Sequence, residues 1–356
     1  MRVGIVGCGM ISSHYAENLK GNLSGAADLV ACSDLNLELA RNLANEFGVG
    51  KACSTEELLE DPEIEIAINL TPAPLHFKVS NQILDAGKHL FTEKPLSLSM
   101  AEAKKLLEKA KARGLQVAGA ADTFLGGGLQ LCRRMVETGR IGDVVGAHAI
   151  VTVPMKNNRR YQEVFRGVVL DLTPYYIGAL AFLFGPVKRV VGLAPLKYPQ
   201  KVDSDSGDAF AVDLPSTASA VLEFDGGLTA TMLCSHDTHG YYPSIELLGT
   251  EGRLKLNDAN FYTGTVELRD GEGTTKIEPS DADGYVQSKR GLGVAEMAWA
   301  LRRGKTPRSS GNYMLHVLEV QLAIYRAAEI GAKVEISSGL EKPSLWEEGE
   351  LDELRS

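Results

Sequence analysis

The sequence predicts two domains: a doubly wound α/β domain on a parallel sheet, then an α+β domain on a large, open, mainly antiparallel sheet. Three observations lead there. The first 120 residues alternate short apolar runs with helix-period segments, the pattern of buried parallel strands joined by crossover helices. A glycine turn, Gly7-Cys8-Gly9, separates the first apolar run from the first helical one. From residue 187 onward, strand follows strand with turn residues between, which favours antiparallel neighbours. A chain of 356 residues also exceeds what one core ordinarily serves. The expected division is 1–120, 121–338 and an acidic C-terminal tail, 339–356.

Each element has its own signal. Residues 2–6, 28–33, 64–70, 88–92 and 115–120 are short runs rich in Val, Ile and Leu. Helix patterns fill the gaps at 10–20, 36–47, 75–86 and 100–113. Ser99 with Glu102 makes a capping box for the last of these, and Gly114 stops it. Ser54 with Glu57 repeats the device at a shorter helix. In the second half a helix at 127–138 precedes a strand at 144–153 and a helix at 170–184. Strands are then expected at 187–196, 208–214, 217–224, 228–235, 243–249 and 252–257, with turns such as Asp225-Gly226-Gly227 and Thr250-Glu251-Gly252. Helices at 286–302 and 313–330 close the domain. The last 16 residues carry six acidic and two basic side chains and read as a solvated tail.

Charge and composition narrow the function. Lys and Arg number 37 against 46 Asp and Glu, a net charge of −9. That surface argues against nucleic acid or an anionic membrane as partner. No apolar run reaches the ~18 residues of a membrane span, and Arg2 leads directly into a strand with no signal-peptide pattern. The five cysteines are scattered, without C-x-x-C spacing. They point to buried thiols in the cytoplasm and to no metal. An open antiparallel sheet needs a cover for its second face, so a homodimer or homotetramer through that sheet is expected.

The glycine turn suits a pyrophosphate. Gly7 makes the tight turn, Gly9 lets a phosphate approach the backbone, and the helix beginning near Met10 and Ile11 points its positive end at it. The fingerprint's third glycine is replaced by Ser12, which is small enough for close helix–strand packing. Asp34 ends the second strand, where an acid accepts from the ribose hydroxyls and repels a 2′-phosphate. It also reads as a cap for the helix that follows. No Lys or Arg occupies 35–37, so NAD(H) is preferred. Arg41 keeps NADP(H) admissible. Ligands of such sheets bind beyond the strands' carboxyl ends. Two of those ends carry Thr71-Pro72 with His76, and Glu93-Lys94-Pro95. Lys94 there suits a place beside a nicotinamide ring, able to hydrogen-bond a substrate hydroxyl. Its alternative is a surface lysine before a helix.

The stretches "GIVGCGMISSHYAENL", "TPAPLHFKVSNQILDAGKHLFTEKPLSLSMAEAKKL", "VETGRIGDVVGA", "IELLGTEGRLKLND" and "LHVLEVQLAIYRAAEIGAKVEI" together resemble the glucose–fructose oxidoreductase/inositol dehydrogenase/rhizopine catabolism (Gfo/Idh/MocA) family. The resemblance covers nearly the whole chain. It implies an N-terminal Rossmann domain and an NAD(P)-dependent hydride transfer at a hydroxyl-bearing carbon of a sugar, cyclitol or related polyol. Gly7, Gly9, Met10, Ile11, Asp34, Thr71, Pro72, His76, Glu93 and Lys94 would then serve the cofactor. The family lysine lies at the nicotinamide, and a second motif, G-x-x-x-D-x-x-x-H, supplies an Asp and a His. Here Gly167 and Asp171 match it, while Tyr175 stands in the histidine place, as in some relatives. Lys94, Asp171 and Tyr175 become the catalytic candidates, and Asp122, Thr123 and Arg160 join them as substrate contacts. Tyr176 is the alternative inward phenol, and His76 the alternative of a satisfied helix-start histidine. His236 and His239 lack a partner cluster at metal spacing. Two other activities fit the resemblance: an NAD-dependent glycoside hydrolase and a non-catalytic NAD- or sugar-sensing regulator.

Overall fold

The structure, a computed structural model, describes residues 1–154, 159, 164, 166–280, 283–286 and 290–355. The chain divides into two compact units. Unit 1 comprises residues 1–125, 288–315 and 343–356, and unit 2 comprises 126–287 and 316–342.

Unit 1 holds six parallel strands: β1 Arg2–Val6, β2 Asp28–Ser33, β3 Lys51–Cys53, β4 Ile66–Asn69, β5 His89–Thr92 and β6 Val117–Gly119. Their order is β3-β2-β1-β4-β5-β6, so the winding direction reverses between β1 and β4. The helices are α1 Ser12–Lys20, α2 Leu37–Phe47, α3 Thr55–Glu60, α4 His76–Asp85 and α5 Met100–Ala112. All four residues of β4 are buried, as strands covered on both faces must be. Caps follow the sequence signals. The Ser54 side chain and the Glu57 carboxylate satisfy each other's backbone N–H groups, whereas at Ser99 only half of the expected capping box forms: Oγ accepts from Glu102 N at 3.3 Å, and the Ser99 N–H donates to Ser97 Oγ. The sequence pattern misses β3, an edge strand of three residues with one buried side chain.

The expected acidic tail is instead part of unit 1. Trp346 is 3% exposed and its Nε1 donates to Leu125 O at 2.7 Å. Leu351 and Leu354 are buried within a short helix, Glu350–Arg355. The Arg308 guanidinium stacks 4.2 Å from the Trp346 ring centroid and pairs with Glu296 and Glu350. The tail's acids hid three apolar anchors and one carboxylate with a buried partner.

Unit 2 is built on nine strands in the order β16-β15-β14-β13-β7-β12-β11-β8-β17. They are β7 Val144–Thr152, β8 Val187–Leu193, β11 Thr217–Phe224, β12 Thr229–Ser235, β13 Tyr242–Gly249, β14 Gly252–Leu256, β15 Val266–Asp270, β16 Gly273–Ile277 and β17 Val334–Glu335. β7 and β12 run parallel, and the other neighbouring pairs are antiparallel. A separate ribbon pairs β9 Gln200–Val202 with β10 Ala209–Ala211, so the strand expected at 208–214 lies outside the main sheet. Alternation sets the faces: Ala218, Ala220, Leu222 and Phe224 of β11 point inward. Helices α6 Gly127–Glu137, α7 Val168–Leu172 and α8 Pro174–Phe184 belong to this unit.

The helix expected at 170–184 is two helices. Pro174 lacks an N–H and its ring would meet the carbonyl four residues back, so it can only begin a helix. Here it opens α8, and Thr173 spans the break with its hydroxyl on Val169 O at 2.6 Å. Asp171 and Tyr175 therefore lie on different helical segments.

Candidate active site

The glycine turn separates two demands. Gly7 has φ +99°, and a Cβ there would lie 2.9 Å from the backbone of Leu70 and Thr71. The protein itself requires this glycine. A Cβ on Gly9 would meet nothing within 4 Å. No protein atom explains the second glycine, and open space beside a backbone turn is what a pyrophosphate needs. Ser12 is 1% exposed, and its Oγ donates to Gly9 O at 2.6 Å. It closes the first turn of α1 where the fingerprint has glycine. Met10 is exposed and Ile11 half-buried.

Asp34 is half-buried at the end of β2. Its Oδ2 accepts from Cys8 N and its Oδ1 from Asn36 N, both at 2.8 Å. The carboxylate is thus fixed beside the glycine turn. It is not the cap of α2, because Asn36 fills that place with its side chain on Glu38 N. A turn, a glycine with room for a ligand and an anchored acid together fit the adenosine and pyrophosphate parts of a dinucleotide.

The loops after β4 and β5 are fastened by buried polar groups. Asn69 Oδ1 accepts from the Thr71 N–H and hydroxyl at 3.1 and 2.6 Å. Its Nδ2 donates to His76 O and Ser80 Oγ. His76 is 1% exposed, with Nδ1 2.6 Å from Pro95 O and Nε2 2.7 Å from Thr71 O. Burial holds this imidazole below its ordinary pKa, against the pull of the two carbonyls. The neutral ring has one N–H, so it donates to one of these carbonyls and packs against the other, between the Thr71-Pro72 loop and the Glu93-Lys94-Pro95 loop. Tyr15 of α1 donates to Glu93 Oε1 at 2.8 Å, and Lys94 N donates to Oε2 at 3.1 Å. Lys94 is half-buried, on a loop whose neighbours on both sides are fixed.

In unit 2, Gly167 has φ +91°, and a Cβ there would meet the Tyr325 hydroxyl at 2.5 Å. Gln321 Nε2 donates to Val169 O at 2.7 Å. These contacts set α7, on which Asp171 is 5% exposed. Its Oδ2 lies 3.1 Å from His236 Nε2. Tyr175 is buried. Its neighbour Tyr176 donates to Asp258 Oδ1 at 2.8 Å, and Tyr241 donates to the other carboxylate oxygen. Burial and the Asp258 charge push the Tyr176 hydroxyl far above its ordinary pKa.

Of the remaining candidates, Asp122 and Thr123 follow β6. Asp122 is fully buried, and its Oδ2 accepts from Gly293 N at 2.9 Å, in the first turn of the helix Leu292–Arg302. Thr123 is 1% exposed in the next turn of chain. Arg160 lies outside the described residues. Sequence reasoning weighed His236, whose partner is 65 positions away, only against metal spacing, and passed over Asp258, which no motif marks.

A 3-2-1-4-5-6 parallel sheet with a glycine turn after β1 and an acid at the end of β2 defines a dinucleotide-binding α/β protein. Residues 1–120 match the oxidoreductase family with an NAD-binding Rossmann fold, Gfo/Idh/MocA. Residues 129–255 match the C-terminal domain of that family. The chain belongs to the Gfo/Idh/MocA oxidoreductases. It is 29% identical to the myo-inositol 2-dehydrogenase of Thermotoga maritima over 77% of this chain and 79% of that one. With the 1,5-anhydro-D-fructose reductase of Ensifer adhaerens it shares 25% identity over 95% and 99% of the two chains. The structure of levoglucosan dehydrogenase with NADH and L-sorbose superposes with a TM-score of 0.82 at 19% identity, covering 95% of this chain and 99% of that one. That last likeness is one of fold.

Proposed function

We propose that the protein moves a hydride between NAD(H) and a hydroxyl-bearing carbon of a sugar, cyclitol or related polyol. The observation that carries the cofactor half is Gly9, a glycine the protein does not need for its own packing. Support for the substrate half comes from the relatives, among them an inositol dehydrogenase and an anhydrofructose reductase. NAD, when bound, accepts or returns the hydride. Asp34, with Leu35, Asn36 and Leu37 after it and no cation among them, favours NAD(H) over NADP(H). Lys94 binds the substrate hydroxyl and stabilises the oxygen as its proton leaves. In unit 2, Asp171 and Tyr175 are the groups proposed to orient a substrate hydroxyl and carry its proton.

The outer face of the unit 2 sheet exposes Val145, Val191, Leu193, Val221 and Leu248, and Val191 pairs directly with Val221. This face is the proposed surface of a homodimer or homotetramer. No helix among the described residues is long and apolar enough to cross a membrane. The five free, buried cysteines favour the cytoplasm.

The test is a panel of inositols and sugars with NAD, followed as NADH at 340 nm, on wild type and Lys94→Ala. The variant is expected to lose turnover by ~10²–10⁴-fold while binding NADH within about threefold of wild type. Unchanged turnover in that variant refutes the role of Lys94. Cleavage of p-nitrophenyl glycosides without net NADH replaces the reaction.

A further inference from the structure

We propose that His236 is a positioning residue for Asp171. The inference rests on the hydride-transfer reading above. Its geometric basis is the 3.1 Å contact between His236 Nε2 and Asp171 Oδ2, with the residues 4% and 5% exposed.

Separate segments build this contact. The His236 N–H donates to Ser216 O at 2.8 Å, just past the end of β12. The next residue, Asp237, takes Lys201 Nζ on Oδ1 at 2.7 Å and the Ser216 hydroxyl on Oδ2. The histidine backbone is thereby clamped on both sides. Asp171 sits on α7, which Gln321 and the tight approach of Tyr325 to Gly167 hold in place.

Energetics argue in the same direction. Burying a carboxylate beside an imidazole costs desolvation that an apolar pair of similar volume would avoid. Such a pair at the aspartate of a functional motif is better explained by its chemistry than by stability. An ionised carboxylate has no hydrogen to give, so Nε2 must carry the proton across the contact. The imidazole then fixes the plane of the Asp171 carboxylate. A phenol at position 175 donates a hydrogen bond but does not trade its charge near neutral pH as an imidazole does. His236 acts through Asp171.

The experiment compares wild type, His236→Ala, His236→Gln and Lys94→Ala in steady-state kinetics with NAD and myo-inositol or the best polyol of the panel. NADH titration and a long-range ¹H–¹⁵N spectrum of the histidine rings accompany it. His236→Ala is expected to lower kcat by ~10–100-fold with substrate KM and NADH affinity within about threefold. His236→Gln, whose amide nitrogen can stand where Nε2 stands, restores most of kcat. In the spectrum the His236 proton sits on Nε2, and Asp171→Asn shifts that signal. Normal kcat in His236→Ala, a Gln variant no better than Ala, or a proton on Nδ1 alone overturns the inference while Lys94→Ala still reports on the parent reading. A wild type that reduces NAD with no polyol overturns both.

Discussion

Replacing Gly9 and Gly7 by alanine, one at a time, separates the fold from the ligand. At Gly7 the added methyl must enter a left-handed backbone conformation and sit 2.9 Å from Leu70 and Thr71. A non-glycine residue in that conformation costs about 1–2 kcal/mol, and overpacking adds about 1–3 kcal/mol. A total of ~2–5 kcal/mol lowers the melting temperature of a unit this size by on the order of 5–15 °C. At Gly9 the methyl meets no atom within 4 Å, and Gly→Ala at a compatible backbone is neutral or stabilising by about 0.4–1 kcal/mol. What Gly9→Ala takes away is the close approach of a phosphate to the backbone. Losing one hydrogen bond to a charged group, about 1.5–3 kcal/mol, weakens NADH binding by ~10–100-fold. Thermal unfolding and fluorescence titration with NADH read the two effects side by side. A Gly9→Ala protein that binds NADH like wild type, or that melts as low as Gly7→Ala, refutes the assignment of this turn.

Three further perturbations test other parts of the molecule. Trp346→Ala leaves a large cavity beside Arg308 and removes the bond to Leu125 O; unit 1 should lose ~3–5 kcal/mol in denaturant unfolding, whereas a solvated tail would show no change. His316 accepts from Val187 N at 3.0 Å through Nε2, and burial lowers its pKa to about 4. Because the unfolded chain binds the proton more readily, its contribution is full above pH ~6.5 and is lost toward pH ~4, up to ~3 kcal/mol. His316→Gln should flatten that slope in thermal unfolding between pH 7.5 and 4.5, and an unchanged slope would refute it. Glu296, fully buried and pushed up to about 7, works in the opposite sense. Its contribution is full below pH ~4.5 and falls away as pH rises through ~7, so Glu296→Gln should remove a loss of stability on the alkaline side of that window.

Much of unit 1 could be read from residues because its signals are local. The strand runs, the caps at Ser54 and Ser99 and the glycine turn each lie within a few residues of what they control, and Asp34, 26 positions from its partner Cys8, is marked by its place at the end of the second strand. The break before α8 was marked by Pro174, although a continuous helix was expected across it. What stayed hidden depends on distant pairing. Trp346 reaches Leu125 across 221 positions, and acidic neighbours disguised its segment as tail. Asp258 collects Tyr176 and Tyr241 from two other elements, and no periodicity announces that. His236 was weighed only against metal spacing, since Asp171 becomes its neighbour only when β12 and α7 pack in one unit. The division of the chain was also obscured, because residues 288–315 return to unit 1 after the sheet of unit 2 is complete.

The loops around Lys94 show why a polar network is used where apolar packing would bury more area. Asn69 holds Thr71 and the start of α4; His76 joins Thr71 to Pro95; Glu93 joins Lys94 to Tyr15. Tyr15 lies on α1, the helix that the glycine turn begins. Apolar contacts are non-directional and tolerate small slips, whereas this chain of bonds fixes backbone carbonyls and amides at stated positions. The same network therefore sets the place of the glycine turn and the place of the lysine. A dinucleotide bound at the turn would find the Lys94 backbone at a fixed register along its length. Shifting either end costs several buried hydrogen bonds at once, each left unmade at about 1–3 kcal/mol. Rigid spacing between cradle and ammonium is the requirement for a hydride transfer, in which the reacting atoms must be held within a few tenths of an ångström. In unit 1 the buried bonds of Asn69, His76 and Glu93 hold the backbone of both loops rigid.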